Sequence, residues 1–236
     1  MKERPILFKG EMVRAILDGR KTQTRRLFSS SDLTFFLNAA RAGEVSYFLS
    51  ESELLENDLD YVIDSCRFGK VGDRFWVRET FREFNNLDEC GCSESPCPCP
   101  STGTPIYRAD QDDGESKWKP SIFMPRKHSR IALEITDVRV HRLQDISEED
   151  AEAEGCYSND QYGDLAGSCD DLWPCHSCRG NQVHGALGSA LGWTEVDCID
   201  CDTPKKRFKY LWKSINGPES WELNPWVWAI SFKVIK

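Results

Sequence analysis

The sequence predicts a small mixed α+β domain in which short strands build a β-barrel, helices flank it, and cysteine-bearing insertions interrupt it. Three observations lead there. The recognisable strands are short and separated by long excursions, and the helices are too few to alternate with them as a parallel sheet requires. The most regular alternation in the chain, over residues 130–143, is a long strand. No internal repeat divides the sequence, so the reading is one domain over 1–236 carrying insertions at 85–104 and 156–204.

The bulk numbers fit this. With 236 residues, 39% hydrophobic content and eight Trp, the chain can bury a sizeable core. No run approaches the roughly 18 apolar residues of a membrane span, and the segment Met1 to Phe8 is too short and too charged for a signal peptide. The expectation is a cytoplasmic protein. A formal net charge of −9 excludes broad, charge-driven binding to long nucleic acid, which needs an excess of Lys and Arg along a face. A small ligand or a very local basic cleft fits better.

Taken in order, Pro5 to Phe8 reads as a strand. Glu11 to Asp18 reads as a helix whose Met12, Val13, Ile16 and Leu17 form one apolar stripe, stopped by Gly19. Residues 28–66 hold mixed helical patterns such as Leu33 to Ala42, and the turn Gly69 to Asp73 leads into a strand over Arg74 to Phe81. A Cys-, Pro-, Ser- and Gly-rich loop over 85–104 precedes a short strand at Ile106 to Arg108. In Arg130 to Leu143 the residues Ile131, Leu133, Ile135, Val138 and Val140 alternate, with a bulge expected at Thr136-Asp137. Ser147 with Asp150 resembles a capping box opening a helix Glu148 to Glu154, which Gly155 ends. After the 156–204 insertion, Phe208, Leu211, Trp212 and Ile215 give a helix over Lys205 to Ile215, and Trp226 to Ile235 closes the chain as a strand.

Eleven cysteines in a chain without an export signal suggest metal rather than a disulfide scaffold. Cys175-x-x-Cys178 and Cys198-x-x-Cys201 are nineteen residues apart, a spacing suited to two knuckles on one tetrahedral zinc ion. Four thiolates close the coordination sphere, so the expected zinc is structural and no catalytic cofactor is needed. His176, His184 and Cys169 are substitute ligands. Cys90, Cys92, Cys97 and Cys99 form a second cluster, which either wraps a soft metal or remains a loop of thiols. Cys66 and Cys156 read as ordinary thiols.

The densest polar patch lies past the first helix, where Gly19-Arg20-Lys21-Thr22-Gln23-Thr24-Arg25-Arg26 places four cations and two hydroxyls in eight residues. Gly19-x-Lys21-x-x-Thr24-x-Arg26 resembles the signature of the ASCH family, a PUA-like β-barrel group associated with RNA and modified nucleosides. The resemblance extends to Gly72-Asp73, to Ser129-Arg130-Ile131, to Leu143-x-x-Ile146-Ser147-x-x-x-Ala151-x-x-Glu154-Gly155 and to the aromatic strand from Trp226. Together these pieces cover about half the chain and leave both cysteine-bearing insertions outside.

Within that family the N4-acetylcytidine amidohydrolases are similar around residues 19–24. The likeness implies Lys21, Thr24 and Glu154 as catalytic residues of a metal-independent hydrolase that removes the acyl group from N4-acylated cytosine nucleosides. Thr24 would be the nucleophile. Lys21 would be its base if burial makes it neutral, or the oxyanion stabiliser if it touches Glu154, with Glu154 then the base. Arg26 suits a ribose, phosphate or carbonyl oxygen through its planar fork, while Trp76, Arg78 and Glu79 are candidates for holding the base. The alternative is an RNA-binding module or ribonuclease using the same cleft, with Arg20, Lys21, Arg25 and Arg26 on phosphates.

Overall fold

The computed structural model describes residues 1–51, 54–93, 96–111, 117–156, 183–187, 193–197 and 200–235, with backbone only for residue 51 and the two segments at 183–187 and 193–197. The class is mixed α+β, as expected. The strands of the main sheet are β1 (Glu3–Leu7), β2 (Gln23–Leu27), β3 (Arg74–Arg78), β6 (Ala132–Arg142) and β9 (Trp226–Val234). They lie in the order β1-β3-β6-β9-β2, with β1 parallel to β3 and every other neighbour antiparallel. The second pair is β4 (Phe81–Glu83) with β5 (Pro105–Tyr107), and the third is β7 (Val183–Leu187) with β8 (Trp193–Asp197), inside the insertion that had given no strand signal.

The long strand and the closing strand form the spine of the sheet, and the anticipated bulge falls between Ile135 and Asp137. Their alternation splits the core in two. Ile135, Val138, Val140, Trp228, Ile230 and Phe232 face one cluster, which Phe8, Val13, Ile16, Phe36 and Phe48 complete. Val227 faces the other, where α7 (Pro204–Asn216) contributes Phe208, Leu211 and Trp212 and α6 (Glu148–Ala153) contributes Ala151. At about 1.5–3 kcal/mol per buried large apolar side chain, these two clusters dominate the stabilisation.

The remaining helices are α1 (Gly10–Leu17), α2 (Ser30–Arg41), α3 (Phe48–Glu51), α4 (Glu56–Asp64) and α5 (Asn86–Glu89). Ser29 and Asp32 cap α2 reciprocally. Among the described residues no helix is long and apolar enough to cross a membrane.

Two expectations need correction. The strand foreseen over Arg74 to Phe81 is two strands in different sheets, because the chain turns after Arg78 and Phe81 pairs with Tyr107 instead. The barrel is not closed: β1 and β2 are the two edges of the sheet, and no backbone ladder joins them. The cause is visible in β1. Phe8 N–H donates to the Arg78 carbonyl and Arg74 N–H donates to the Lys2 carbonyl, so residues 2, 4, 6 and 8 point at β3, and Glu3, Pro5 and Leu7 point at the gap. Pro5 has no N–H to offer there, and proline in a sheet belongs on such an edge. On the opposite side Phe232 N–H donates to the Thr22 carbonyl and Phe28 N–H to the Trp226 carbonyl, which turns the backbone of Gln23, Arg25 and Leu27 toward the same gap. One side chain spans it: Arg26 Nη2 donates to the Leu7 carbonyl at 2.9 Å.

Candidate functional site

A cavity of about 320 Å3 fills the gap between the two strand edges. Pro5, Ile6 and Leu7 of β1 form one wall and Thr24, Arg25, Arg26 and Leu27 of β2 another. The apolar face of α7, with Phe208, Leu211, Trp212 and Ile215, forms a third. Glu154, Arg67 and Phe68 also line it. The size and the mix of apolar wall with a few convergent polar groups suit a small-molecule site.

The residues of the 19–26 patch reach this place because the chain turns sharply after α1. Gly19 has φ +73, a conformation open to glycine, and Lys21 N–H then bonds to the Ala15 carbonyl. Lys21 is buried, 1% exposed, and its Nζ donates to Glu154 Oε2 at 2.5 Å and to the Glu154 carbonyl at 3.0 Å. That carbonyl is available because α6 stops there, with Gly155 at φ +96. Burial pushes the Lys21 ammonium below its ordinary value, and Glu154 opposes the shift without overcoming it.

Thr24 and Arg26 sit on one face of β2, opposite Ile230 and Trp228, while Gln23 and Arg25 sit on the other. Arg25 is the second cation on Glu154, with Nη1 donating to Oε1 at 3.1 Å and Nη2 to Asp150 Oδ2 at 2.7 Å. Asp150 also accepts from Arg139 at 2.8 Å and from Gln23 at 3.2 Å. Ser147 caps the Asp150 N–H as foreseen, but the Asp150 carboxylate serves this network rather than the helix end. Burial raises the Asp150 pKa, yet Arg139 and Arg25 outweigh it and the net shift is downward.

Arg26 differs from its neighbours. Its guanidinium lies 5.2 Å from the Phe8 ring centroid, its Nη2 donates to the Leu7 carbonyl, and its buried Nε has no partner among the described residues. No carboxylate lies within ion-pair distance of it among the described residues, and burial lowers its pKa. The Arg26 side chain is half-buried and the Glu154 charge acts on it through space without a direct ion pair, so its planar fork is left to serve a ligand in the cavity it lines. The Thr24 hydroxyl is likewise without a hydrogen bond to any described residue and lines the same space.

Lys21, Thr24, Arg26 and Glu154 are thus brought together, with Lys21 behind Glu154 rather than on the cavity wall. Trp76, Arg78 and Glu79 lie elsewhere. The Arg78 guanidinium stacks on Trp76 at 4.7 Å, and Glu79, 1% exposed, is held by Arg130 at 2.9 and 3.0 Å. Burial raises the Glu79 pKa despite Arg130. Arg25 was foreseen only as a phosphate contact and not as a partner of Glu154, and Asp150 and the α7 face had not been anticipated as parts of the site; the period of two along a strand is the signal that could have placed Arg25 on the face away from Thr24.

Of the proposed zinc clamp, Cys175, Cys178 and Cys198 lie outside the described residues, as do Cys169 and His176, while His184 is described by its backbone alone. Cys201 is buried and its carbonyl accepts from Arg207 Nε at 2.6 Å. Cys66 and Cys156 are buried free thiols, both pushed up by burial. The other cluster lies within the described residues: Cys90, Cys92, Cys97 and Cys99 bring their sulfurs within 4.8 Å of one another and could hold a metal ion such as zinc. A scan against protein-family models, a search of curated proteins and a search of solved structures each found no match to this chain.

Proposed function

We propose that the chain is a PUA-like domain of the ASCH type and an amidohydrolase that removes the acyl group from N4-acylated cytosine nucleosides. The single observation that carries the reading is the shared wall: a free Thr24 hydroxyl, the Glu154 carboxylate and an Arg26 guanidinium with no direct ion pair among the described residues line one cavity of about 320 Å3. The sequence resemblance supplies the reaction; the geometry supplies a division of labour among its residues.

Thr24 Oγ1 attacks the acyl carbonyl carbon as its proton passes to Glu154. Arg26 donates to the oxyanion, where a water-excluded donor is most effective. The C–N bond breaks, the N4 amine takes the proton from Glu154 and cytidine leaves. Water then attacks the threonyl ester, its proton goes to Glu154 and on to Thr24 Oγ1, and the free carboxylic acid departs. Lys21 touches Glu154 and not the cavity, so its role is to position that carboxylate and to balance its charge. The direct contact argues against Lys21 as the base of Thr24. No metal takes part; zinc on Cys175, Cys178, Cys198 and Cys201 would be structural, since four thiolates leave no site for water.

Backbone groups of Arg25, Leu27, Leu7 and Pro5 that face the gap offer donors and acceptors to the edge of a base, and the α7 face offers apolar surface to a ring or acyl chain. Three arginines against one carboxylate in the lining favour a second reading, RNA or nucleotide binding through phosphate. An ultraviolet assay with N4-acetylcytidine, run beside Lys21→Ala and Thr24→Ala, separates the two. Turnover lost in both folded variants supports the hydrolase. No turnover by the parent, together with salt-sensitive gel shifts of single-stranded RNA, would replace it with the second reading.

A further inference from the structure

The loop joining β4 to β5 carries the motif Cys90-x-Cys92-x4-Cys97-x-Cys99, far from the cavity in function and untouched by the hydrolase reading. All four cysteines are free thiols. Their sulfurs stand 3.3 Å apart for Cys90 and Cys92, 3.4 Å for Cys90 and Cys97, 2.9 Å for Cys92 and Cys97, and 3.7 Å for Cys92 and Cys99. These separations exceed the roughly 2.05 Å of a sulfur–sulfur bond. Zinc–sulfur bonds of 2.3 Å in a tetrahedron place sulfurs about 3.8 Å apart, close to this arrangement. Four sulfurs so compact surround one ion and leave no room for a multi-iron cluster.

The rest of the loop is built to hold them. Phe84 N–H donates to the Thr104 carbonyl at 2.9 Å and Gly103 N–H to the Phe84 carbonyl at 2.8 Å, so the β4–β5 ladder continues beyond the strands. Asn86 N–H reaches Thr102 Oγ1 at 3.1 Å, and the Asn85 side chain caps α5. One CxC pair follows α5 directly and the other precedes the Ser101–Thr104 turn, so the two pairs meet where the ladder ends. Among its described residues the loop holds no buried apolar cluster of its own, and closing such a loop costs entropy that a metal clip would offset.

We propose that Cys90, Cys92, Cys97 and Cys99 bind one zinc ion as a closed four-thiolate site, separate from the 175–201 clamp, which pins the tip of the β4–β5 hairpin. With no open position the ion is structural, and each thiol gives up its proton on binding.

The test uses the intact protein purified under reducing conditions without added metal. Alkylation of its thiols, mapped by peptide mass spectrometry with and without chelator, should find these four cysteines protected together and released together. Cys92→Ser/Cys97→Ser should contain about one zinc equivalent per chain less than the parent, and Cys175→Ser/Cys178→Ser should keep the protection of residues 90–99. Free alkylation of the four in the untreated protein, an unchanged zinc content in the first variant, or iron in place of zinc would overturn the proposal. If that variant fails to fold, the alkylation map of the parent still decides.

Discussion

Glu154 and Glu79 are both buried carboxylates held by cations, yet they sit in different kinds of surroundings. Glu79 is enclosed: Arg130 grips it with two nitrogens, then bonds Asp110 at 2.6 and 2.8 Å and stacks on Tyr107 at 4.0 Å. Its one cation, Arg130, is itself fixed by these further contacts. Glu154 is answered by Lys21 and Arg25 behind it but forms part of a cavity wall, with Thr24 and Arg26 beside it. The lesson is that burial and ion pairing alone do not mark a site, since Glu79 has both. What marks it is a charged group left incomplete next to empty space, and in this protein that group is Arg26.

The sharpest way to break the comparison is to neutralise each carboxylate in turn. Glu154→Gln should lower kcat/KM on N4-acetylcytidine by about a hundred- to ten-thousand-fold, the range of a lost proton-transfer group. Glu79→Gln should leave kcat/KM where it was and cost about 1–3 kcal/mol of stability, read from denaturant or thermal unfolding. Equal losses of activity in both variants would mean that neither is special.

A somewhat smaller effect tests Arg26. Arg26→Met should reduce kcat/KM by about 100-fold while stability changes little, because a half-buried cation with no direct ion pair is replaced by an apolar side chain of similar length. A variant that unfolds several kcal/mol more easily yet turns over normally would make Arg26 a strap to the Leu7 carbonyl and nothing more.

Lys21 sharpens the comparison through pH. Its pKa is lowered, mainly by burial, so the ammonium that positions Glu154 is present below that value and lost as pH rises through it. The alkaline limb of the kcat/KM profile should therefore fall at a pH under 10.5, the ordinary lysine value. A limb at or above that value would remove Lys21 from the account.

The mildest effect concerns the start of β1, the wall shared by the cavity. Asp73 accepts from the Lys2 N–H at 2.6 Å and from Arg4 at 3.0 Å, and these bonds hold its pKa at about 2 instead of 3.8. The folded value is depressed, so the stabilisation is present above the ordinary value and fades as pH falls from about 4 toward 2. Asp73→Asn should flatten the acid limb of thermal stability in that window, measured by calorimetry; an unchanged slope would refute the assignment.

The sheet's spine was legible because Leu133, Ile135, Val138 and Val140 alternate and the bulge residues break the alternation where the ladder shifts. The helix α7 was legible from the spacing of Phe208, Leu211, Trp212 and Ile215. Strand β2 was not, since Gln23, Thr24, Arg25 and Arg26 carry no apolar alternation, and Gln23 and Arg25 are buried by pairing with Asp150 and Glu154. The cavity itself was illegible for a topological reason: β1 and β2 are near in sequence but stand at opposite ends of the strand order, and only the curl of the whole sheet brings them face to face. The Cys90–Cys99 cluster, by contrast, is local: its spacing marked four thiols in one loop and left open whether they wrap a metal or stay free.

The missing ladder between β1 and β2 also has a thermodynamic reach. Both edges belong to the first 27 residues, yet each is fastened to a distant segment, β1 to β3 and β2 to β9. A molecule bonded to both edges at once would act as a removable rung. It would couple those segments, and at a hundred times its dissociation constant it would raise the unfolding free energy by about 2.7 kcal/mol. Melting temperature thus becomes a readout of occupancy for any compound, turned over or not.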